Sequence, residues 1–236
     1  MTSPDAPDAP DAPGTAPAAG RGHGRAVLAV VVVAALALGA LAGALLARQP
    51  TLTAAAEGSV DAGFARDMQA HHAQAVELAV LVRDRSTDEE VRTVALDILL
   101  TQQNQIGQMA GWLSTWGLPA AASDAPMAWM AGGEHAHTAG AADPDAPAGY
   151  AAMPGWVSRE DLARLAAADG AEADRLFLEL MIPHHEGGVA MAGYAVEHAR
   201  RPQVVALARN IVTSQERELT ALHAMLDARG GPLPAP

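Results

Sequence analysis

The sequence predicts an all-α protein: a four-helix bundle built from two tandem helical hairpins and preceded by one N-terminal transmembrane helix. Three observations lead to this class. An uncharged apolar run covers residues 26–46, and a long segment of the remaining chain occurs twice. Within each copy the apolar residues recur at helical spacing, so each copy is expected to form helices with one apolar face.

The composition excludes several classes of protein. The chain has 236 residues and a formal net charge of -12, so it lacks the basic surface that would neutralise the phosphates of a nucleic acid. It contains no cysteine, which excludes disulfides, thiolate metal sites and thiol nucleophiles. A site for a soft metal ion would therefore depend on methionine sulfur and histidine nitrogen.

The N-terminal region is expected to hold a disordered cytoplasmic tail followed by a signal anchor. Residues 1–25 contain repeated Asp-Ala-Pro and cannot bury a core. Residues 26–47 follow as a transmembrane helix, since about 1.5 Å per residue gives roughly the 30 Å of a hydrocarbon core. Arg21 and Arg25 precede this helix and Arg48 follows it. The basic excess before the helix predicts a single-pass plasma-membrane protein with an extracytoplasmic C-terminal domain.

A cleaved signal peptide is the alternative, and cleavage near Ala56 would release the domain as a secreted protein. We favour the uncleaved anchor because the apolar regions of signal peptides are usually shorter and begin closer to the start. Residues 48–58 then form a linker, the bundle is expected over residues 59–230, and residues 231–236 form a short tail.

The internal repeat aligns two segments of the chain without a gap. Phe64 corresponds to Phe177, and Gly117 near the end of the first copy corresponds to Gly230. Agreement in one frame over a whole unit indicates duplication. Two helical hairpins bury their apolar faces best against each other, which predicts the four-helix bundle.

The first copy is expected to contain one helix over about 59–85 and a second that ends near Trp116. Thr87 and Glu90 have the spacing of a capping box at the start of the second helix. Gly117 has the position of a residue that stops this helix.

The second copy is expected to contain a helix over about 171–198 and another that begins at Pro202, a residue suited to the first turn of a helix. The connector over residues 118–170 is predicted to be mostly irregular. It includes one short helix capped by Ser158 and Asp161.

The repeated chemical feature is a methionine followed one helical turn later by two adjacent histidines. The candidate metal ligands are Met68, His71 and His72 in the first copy, and Met181, His184, His185 and Met191 in the second. Both doublets fall near the middle of their helices, so core-facing side chains there would meet in a two-fold-related bundle. We expect four imidazoles and the thioethers to converge on a metal ion.

Copper is the expected ion, with zinc or another transition metal as the alternative, because imidazole suits all of these and thioether favours Cu(I). Gln102 and Gln215, each followed one turn later by Gln105 or Glu218, are expected to hold the second imidazole nitrogen. The competing interpretation is a structural or interaction module at the membrane surface, in which hydrogen-bonded histidines only tie the helices together.

No enzyme is predicted. A di-iron carboxylate site would need Glu-x-x-His pairs on the bundle helices, which the predicted helices lack, and no Gly-x-Ser-x-Gly is present. We expect metal binding, buffering or delivery rather than catalysis, with an oxidoreductase as a weaker option. His135 and His137 in the connector form a His-x-His that would bind metal weakly.

The motifs "FLELMIPHHEGGVAMA", "MPGW" and "LARNIVTSQERE" resemble the domain of unknown function 305 (DUF305) family over about residues 60–230. The resemblance implies a ferritin-like four-helix bundle that is exported or membrane-anchored in bacteria, with some relatives associated with copper binding and tolerance. The methionine and histidine positions of the family carry over to Met68, His71, His72, Met109, Met153, Met181, His184, His185 and Met191. Two departures are Trp156, where relatives often have methionine, and Gln105, where the first repeat often has glutamate.

The expected partners are the lipid bilayer, through residues 26–47, and a metal ion. No nucleic acid is expected. A protein partner and a homo-oligomer are left open by the sequence.

Overall fold

The computed structural model describes residues 21–47, 54–131 and 149–233. Within these ranges it contains α-helices and short 3-10 turns and no strand, so the all-α prediction is confirmed. The helices are α1 (Arg21–Ala47), α2 (Val60–Arg85), α3 (Glu89–Trp116), α4 (Arg159–Ala167), α5 (Gly170–His198) and α6 (Pro202–Ala228). The sequence expectations for the N-terminal tail before Arg21, for residues 48–53 and for His135 and His137 lie outside the described residues.

The chain divides into two compact units, residues 1–52 and residues 53–236. Helix α1 belongs to the first unit and begins at Arg21, five residues before the expected start at residue 26. Its apolar segment Ala26–Ala44 has the length and composition of a membrane span or of a signal sequence.

The second unit is the predicted four-helix bundle. Helix α2 packs against α3, α5 packs against α6, and the two hairpins meet through α2 and α5. These central helices run antiparallel, since Asp61 in the first turn of α2 accepts hydrogen bonds from the backbone N–H groups of Arg200 and Arg201, just after α5.

The helix ends follow the sequence at most positions. Ser59 caps α2 by accepting a hydrogen bond from the backbone N–H of Ala62. Gly117 ends α3 in the left-handed conformation, at φ 70°. Pro202 opens α6 and Ser158 caps α4, both as predicted.

The sequence prediction named the wrong capping residue for the start of α3. Asp88, not Thr87, is the N-cap, and its carboxylate accepts hydrogen bonds from the backbone N–H groups of Glu90 and Val91 at 2.9 and 3.3 Å. A carboxylate also complements the positive end of the helix dipole, and Arg229 at the end of α6 binds the other oxygen of Asp88 at 2.6 Å.

The apolar core consists of two clusters at opposite ends of the bundle. One contains Phe177, Leu78 and Ile98 among others, and the other contains Phe64, Met109 and Ile211 among others. Buried polar side chains lie along the helices between these two sets, where the two histidine doublets fall.

Candidate metal centre

The four paired histidines form the centre of a buried polar layer. We define the histidine layer as His71, His72, His184 and His185 together with Gln102, Gln105, Gln215 and Glu218. All four imidazoles have an exposed fraction of 0%. The prediction that both doublets face the interior is therefore confirmed.

The two doublets meet through the first histidine of each. The ring centroids of His71 and His184 lie 3.8 Å apart, and the ring planes are inclined by 32°. Within each doublet the ring centroids are further apart. The distance is 6.3 Å between His71 and His72 and 6.2 Å between His184 and His185. The duplication thus brings imidazoles from both hairpins into direct contact.

The Nε2 atoms of these two central imidazoles donate to backbone carbonyls. His71 donates to the carbonyl oxygen of Pro154 at 3.1 Å, and His184 donates to the carbonyl oxygen of His71 at 3.0 Å. A carbonyl can only accept, so the hydrogen-bond network assigns the proton to Nε2 in both rings.

The Nε2 atoms of the outer imidazoles bind side chains on the neighbouring helices. His72 contacts the Oε1 atom of Gln105 at 2.7 Å, and His185 contacts the Oε2 atom of Glu218 at the same distance. Both partners are oxygens, so these imidazoles also carry their proton on Nε2. The expected hydrogen bonds between the histidines and side chains on α3 and α6 are therefore present.

The expected role of the other two glutamines is wrong. Gln102 and Gln215 are buried, and neither amide atom of either side chain has a hydrogen-bond partner within the described residues. They lie one helical turn before Gln105 and Glu218. The packing of the helices places Gln105 and Glu218, rather than Gln102 and Gln215, against the imidazoles.

The Nδ1 atoms of all four imidazoles are buried, and none has a hydrogen-bond partner in the part of the chain that the structure describes. In a neutral imidazole protonated at Nε2, Nδ1 carries the free lone pair. Four unused nitrogen lone pairs in an apolar interior are costly for the fold, and the same lone pair is the one that ligates a metal.

Burial keeps His71, His72 and His184 neutral. It lowers the pKa of His71 and of His72 to about 3, and the neighbouring imidazoles oppose protonation further. Burial also lowers the pKa of His184 well below its ordinary value, with the other three rings adding to the effect. At neutral pH these lone pairs are therefore available without loss of a proton.

The predicted methionine ligands are divided between the two apolar clusters. Met68, Met181 and Met191 are all fully buried. Met68 and Met191 belong to the cluster around Phe64, whereas Met181 belongs to the cluster around Phe177. Thioether sulfur is thus present in both apolar clusters, which lie on either side of the histidine layer.

In the described residues, imidazole nitrogens and carboxylate oxygens alone do not form a complete metal site. Across residues 21–47, 54–131 and 149–233, no three His, Asp or Glu side chains are positioned to hold one ion. The donor set suits a soft transition metal, but an ion bound here would also need methionine sulfur or a changed imidazole rotamer. The metal-ligand assignment of the seven residues remains a prediction.

A segment of the connector covers the layer on the α5 side. We call residues 153–157 the strap; it includes the "MPGW" motif. Gly187 in α5 allows the strap to approach, because a Cβ there would overlap the carbonyl group of Pro154. Gly155 within the strap has φ +72°, and a Cβ there would overlap the backbone at Pro183.

Gln74 fixes the strap to α2. Its Nε2 donates to the carbonyl oxygen of Val157, and its Oε1 accepts from the N–H of Val157, both at 2.8 Å. Sequence reasoning missed Gln74 and the position of the strap, because a glutamine within a helix gives no sign of a distant backbone partner. The glycine pair beside the second doublet was the available signal for a close backbone approach.

The fold and the site together define a class: a duplicated helical hairpin whose four-helix bundle encloses a layer of four imidazoles. The chain belongs to the DUF305 family, the domain of unknown function whose family model matches residues 61–226. The family resemblance seen in the sequence motifs is therefore confirmed.

Solved structures share this fold. A presumed secreted DUF305 protein from Streptomyces coelicolor is 42% identical, with a TM-score of 0.66 over 77% of this chain and 100% of the other. A DUF305 fragment from Deinococcus radiodurans is 34% identical, with a TM-score of 0.57 over 72% of this chain and 96% of the other. CopM in its Cu(II)-bound form is 26% identical, with a TM-score of 0.50 over 70% of this chain and 93% of CopM.

One curated relative matches a short part of the chain. It is the uncharacterized protein L153 of Acanthamoeba polyphaga mimivirus, which is 34% identical over 56 residues. This match spans 24% of the chain and 37% of the length of the mimivirus protein.

Proposed function

We propose that this protein is a membrane-anchored, extracytoplasmic protein that binds a transition metal, with copper as the expected ion, and serves metal buffering or tolerance. His71, His72, His184 and His185 supply imidazole nitrogen to the ion, and Met68, Met181 and Met191 supply thioether sulfur. The role is binding rather than catalysis, because the layer is buried and holds no group poised to act on a substrate.

The observation that carries this proposal is the set of four buried Nδ1 atoms without partners. Each imidazole is fixed through Nε2 by an oxygen acceptor, which is the arrangement that orients a metal-ligating histidine. Imidazole with thioether, in a chain without cysteine, favours copper among the common ions. CopM, a structural neighbour, has been solved in a Cu(II)-bound form.

The proposed location follows from α1. Its apolar segment Ala26–Ala44 fits a signal anchor, and the Streptomyces neighbour is presumed secreted. Protease treatment of intact cells tests the topology: the bundle should be digested from outside. Protection of the bundle, with digestion only after lysis, would contradict the extracytoplasmic placement.

Titration with copper tests the binding. The full chain in detergent micelles is titrated with Cu(I) against a competing chelator, alongside a variant with all four layer histidines changed to glutamine. The matched control carries His198→Gln and His223→Gln, which alter two exposed histidines outside the layer. We expect the control to bind as the wild type does and the layer variant to lose binding. Equal binding by all three proteins would refute the proposal.

A structural role is the second candidate. It is favoured by the hydrogen bond that the Nε2 of every layer histidine makes and by the lack of a three-ligand group in the described residues. It predicts that copper leaves the melting temperature unchanged. A bound ion present at about 100 times its Kd would instead stabilise the fold by about 2.7 kcal/mol, so thermal melting with and without copper separates the two functions.

A further inference from the structure

The two halves of the histidine layer differ at one duplicated position. Gln105 lies 33 residues after His72, and Glu218 lies 33 residues after His185. Each accepts the Nε2–H of its histidine at 2.7 Å. The geometry is the same in both halves, but one acceptor is a neutral amide and the other is a carboxylate.

Glu218 is the only carboxylate in the layer as defined above. The side chain of His185 is fully buried, while that of Glu218 is 25% exposed. The carboxylate therefore reaches water on one side and the imidazole on the other. Gln105 in the equivalent position is nearly buried, at 7% exposed.

A carboxylate acts on a metal-ligating imidazole through the opposite ring nitrogen. A charge-assisted hydrogen bond to Nε2–H is stronger than a neutral one and makes the imidazole a better donor at Nδ1. Glu218 is also the one member of the layer that can compensate the charge of a cation, since the other members are imidazoles and amides. Both effects favour coordination of the ion by His185 over coordination by His72.

We infer that Glu218 is a positioning residue that makes the His185 half of the layer the tighter-binding half and favours the divalent state of the bound metal. This inference rests on the proposed function. Negative charge near an ion stabilises Cu(II) more than Cu(I), because the interaction grows with the charge of the ion. Bound copper should therefore be harder to reduce when residue 218 is glutamate than when it is glutamine.

The experiment compares the full chain with E218Q, Q105E and the swapped double variant Q105E/E218Q. Affinities for Cu(I) and Cu(II) are measured by chelator competition, and the midpoint potential of bound copper is measured by potentiometric titration. E216Q is the matched control, since Glu216 is an exposed glutamate two residues away on the same helix.

E218Q should weaken Cu(II) binding by about 10- to 100-fold and raise the midpoint potential. For every tenfold loss of Cu(II) affinity beyond the loss for Cu(I), the rise is about 59 mV. Q105E should tighten Cu(II) binding and lower the potential, and the swapped variant should return close to the wild type. E216Q should change neither quantity.

Three outcomes overturn the inference in distinguishable ways. If the wild type and E218Q bind copper with the same affinity and potential, the inference is wrong while the proposed function stands. If the wild type binds no copper, both are wrong. A purely structural role for Glu218 would lower the melting temperature of E218Q and leave the midpoint potential unchanged, which also contradicts the inference.

Discussion

His71 and His184 stand at equivalent positions of the two repeats, and their rings lie 3.8 Å apart where α2 meets α5. The pseudo-two-fold axis that relates the two hairpins therefore passes between these two imidazoles. Because both rings are neutral and buried, the contact is tolerated only while neither ring is protonated.

The metal-free protein should lose stability as the pH falls. Burial lowers the pKa of His71 and His72 from 6.5 to about 3, so the unfolded chain binds protons that the folded chain excludes. This stability is present above pH 6.5 and is lost progressively as the pH falls toward 3, by up to about 1.4 kcal/mol per pH unit for each histidine. Urea unfolding at a series of pH values measures the slope.

A histidine variant checks the origin of that slope. His72→Gln should make the pH dependence shallower, whereas His223→Gln on the exposed surface should leave it unchanged. Equal slopes for the wild type and His72→Gln would show that the buried imidazole is not responsible.

Substitution by alanine should change the stability of the fold in opposite directions at two glycines of α5. A Cβ at Gly187 would overlap the carbonyl of Pro154, so Gly187→Ala must displace the strap and should cost about 1–3 kcal/mol. Among the residues that the structure describes, no heavy atom outside the local backbone lies within 4 Å of a Cβ at Gly193. Gly193→Ala should therefore stabilise the fold by about 0.5–1 kcal/mol through helix propensity. Denaturant unfolding measures both, and destabilisation by both would contradict the assigned contact.

The two hydrogen bonds between Gln74 and Val157 should contribute measurably to the free energy of unfolding. Gln74→Ala removes both partners of the Val157 backbone and should cost about 1–3 kcal/mol for each group left buried and unpaired. Gln103→Ala changes an exposed glutamine on α3 and should stay within about 0.5 kcal/mol of the wild type. Hydrogen exchange at the Val157 amide gives an independent readout, because its protection should be lost in Gln74→Ala alone.

Asp88 and Thr87 should differ as helix caps. Asp88→Ala removes the N-cap of α3 and should cost about 1 kcal/mol, and the partly buried ion pair with Arg229 is lost with it. Thr87→Ala should have almost no effect. Equal losses in the two variants, measured by thermal unfolding, would restore the capping box predicted from the sequence.

The sequence was sufficient where a repeat or a local motif determines the structure. The gapless alignment of Phe64 with Phe177 predicts two hairpins, and the central position of the doublets predicts that they meet. The sequence predictions were wrong where two similar residues lie one position or one helical turn apart and only one of them makes the contact. Gln105 binds His72 while Gln102 does not, because the register between α2 and α3 is set by packing along both helices.

The strap illustrates the same limit over a longer distance. Its anchor at Gln74 joins residues 83 positions apart in the chain, and no local pattern encodes that pairing. The cap residue Asp88 likewise binds Arg229, a residue at the far end of the second hairpin. Contacts of this kind become predictable only when the packing of the hairpins is known.

Because the layer is assembled from two copies of one hairpin, each of its positions exists twice in the gene. One copy can mutate while its twin keeps the original residue, and Gln105 beside its counterpart Glu218 records such a divergence. A homodimer of single hairpins has no such freedom, since one codon change would alter both sides of the axis at once. Joining the halves in one polypeptide lets selection adjust each side separately.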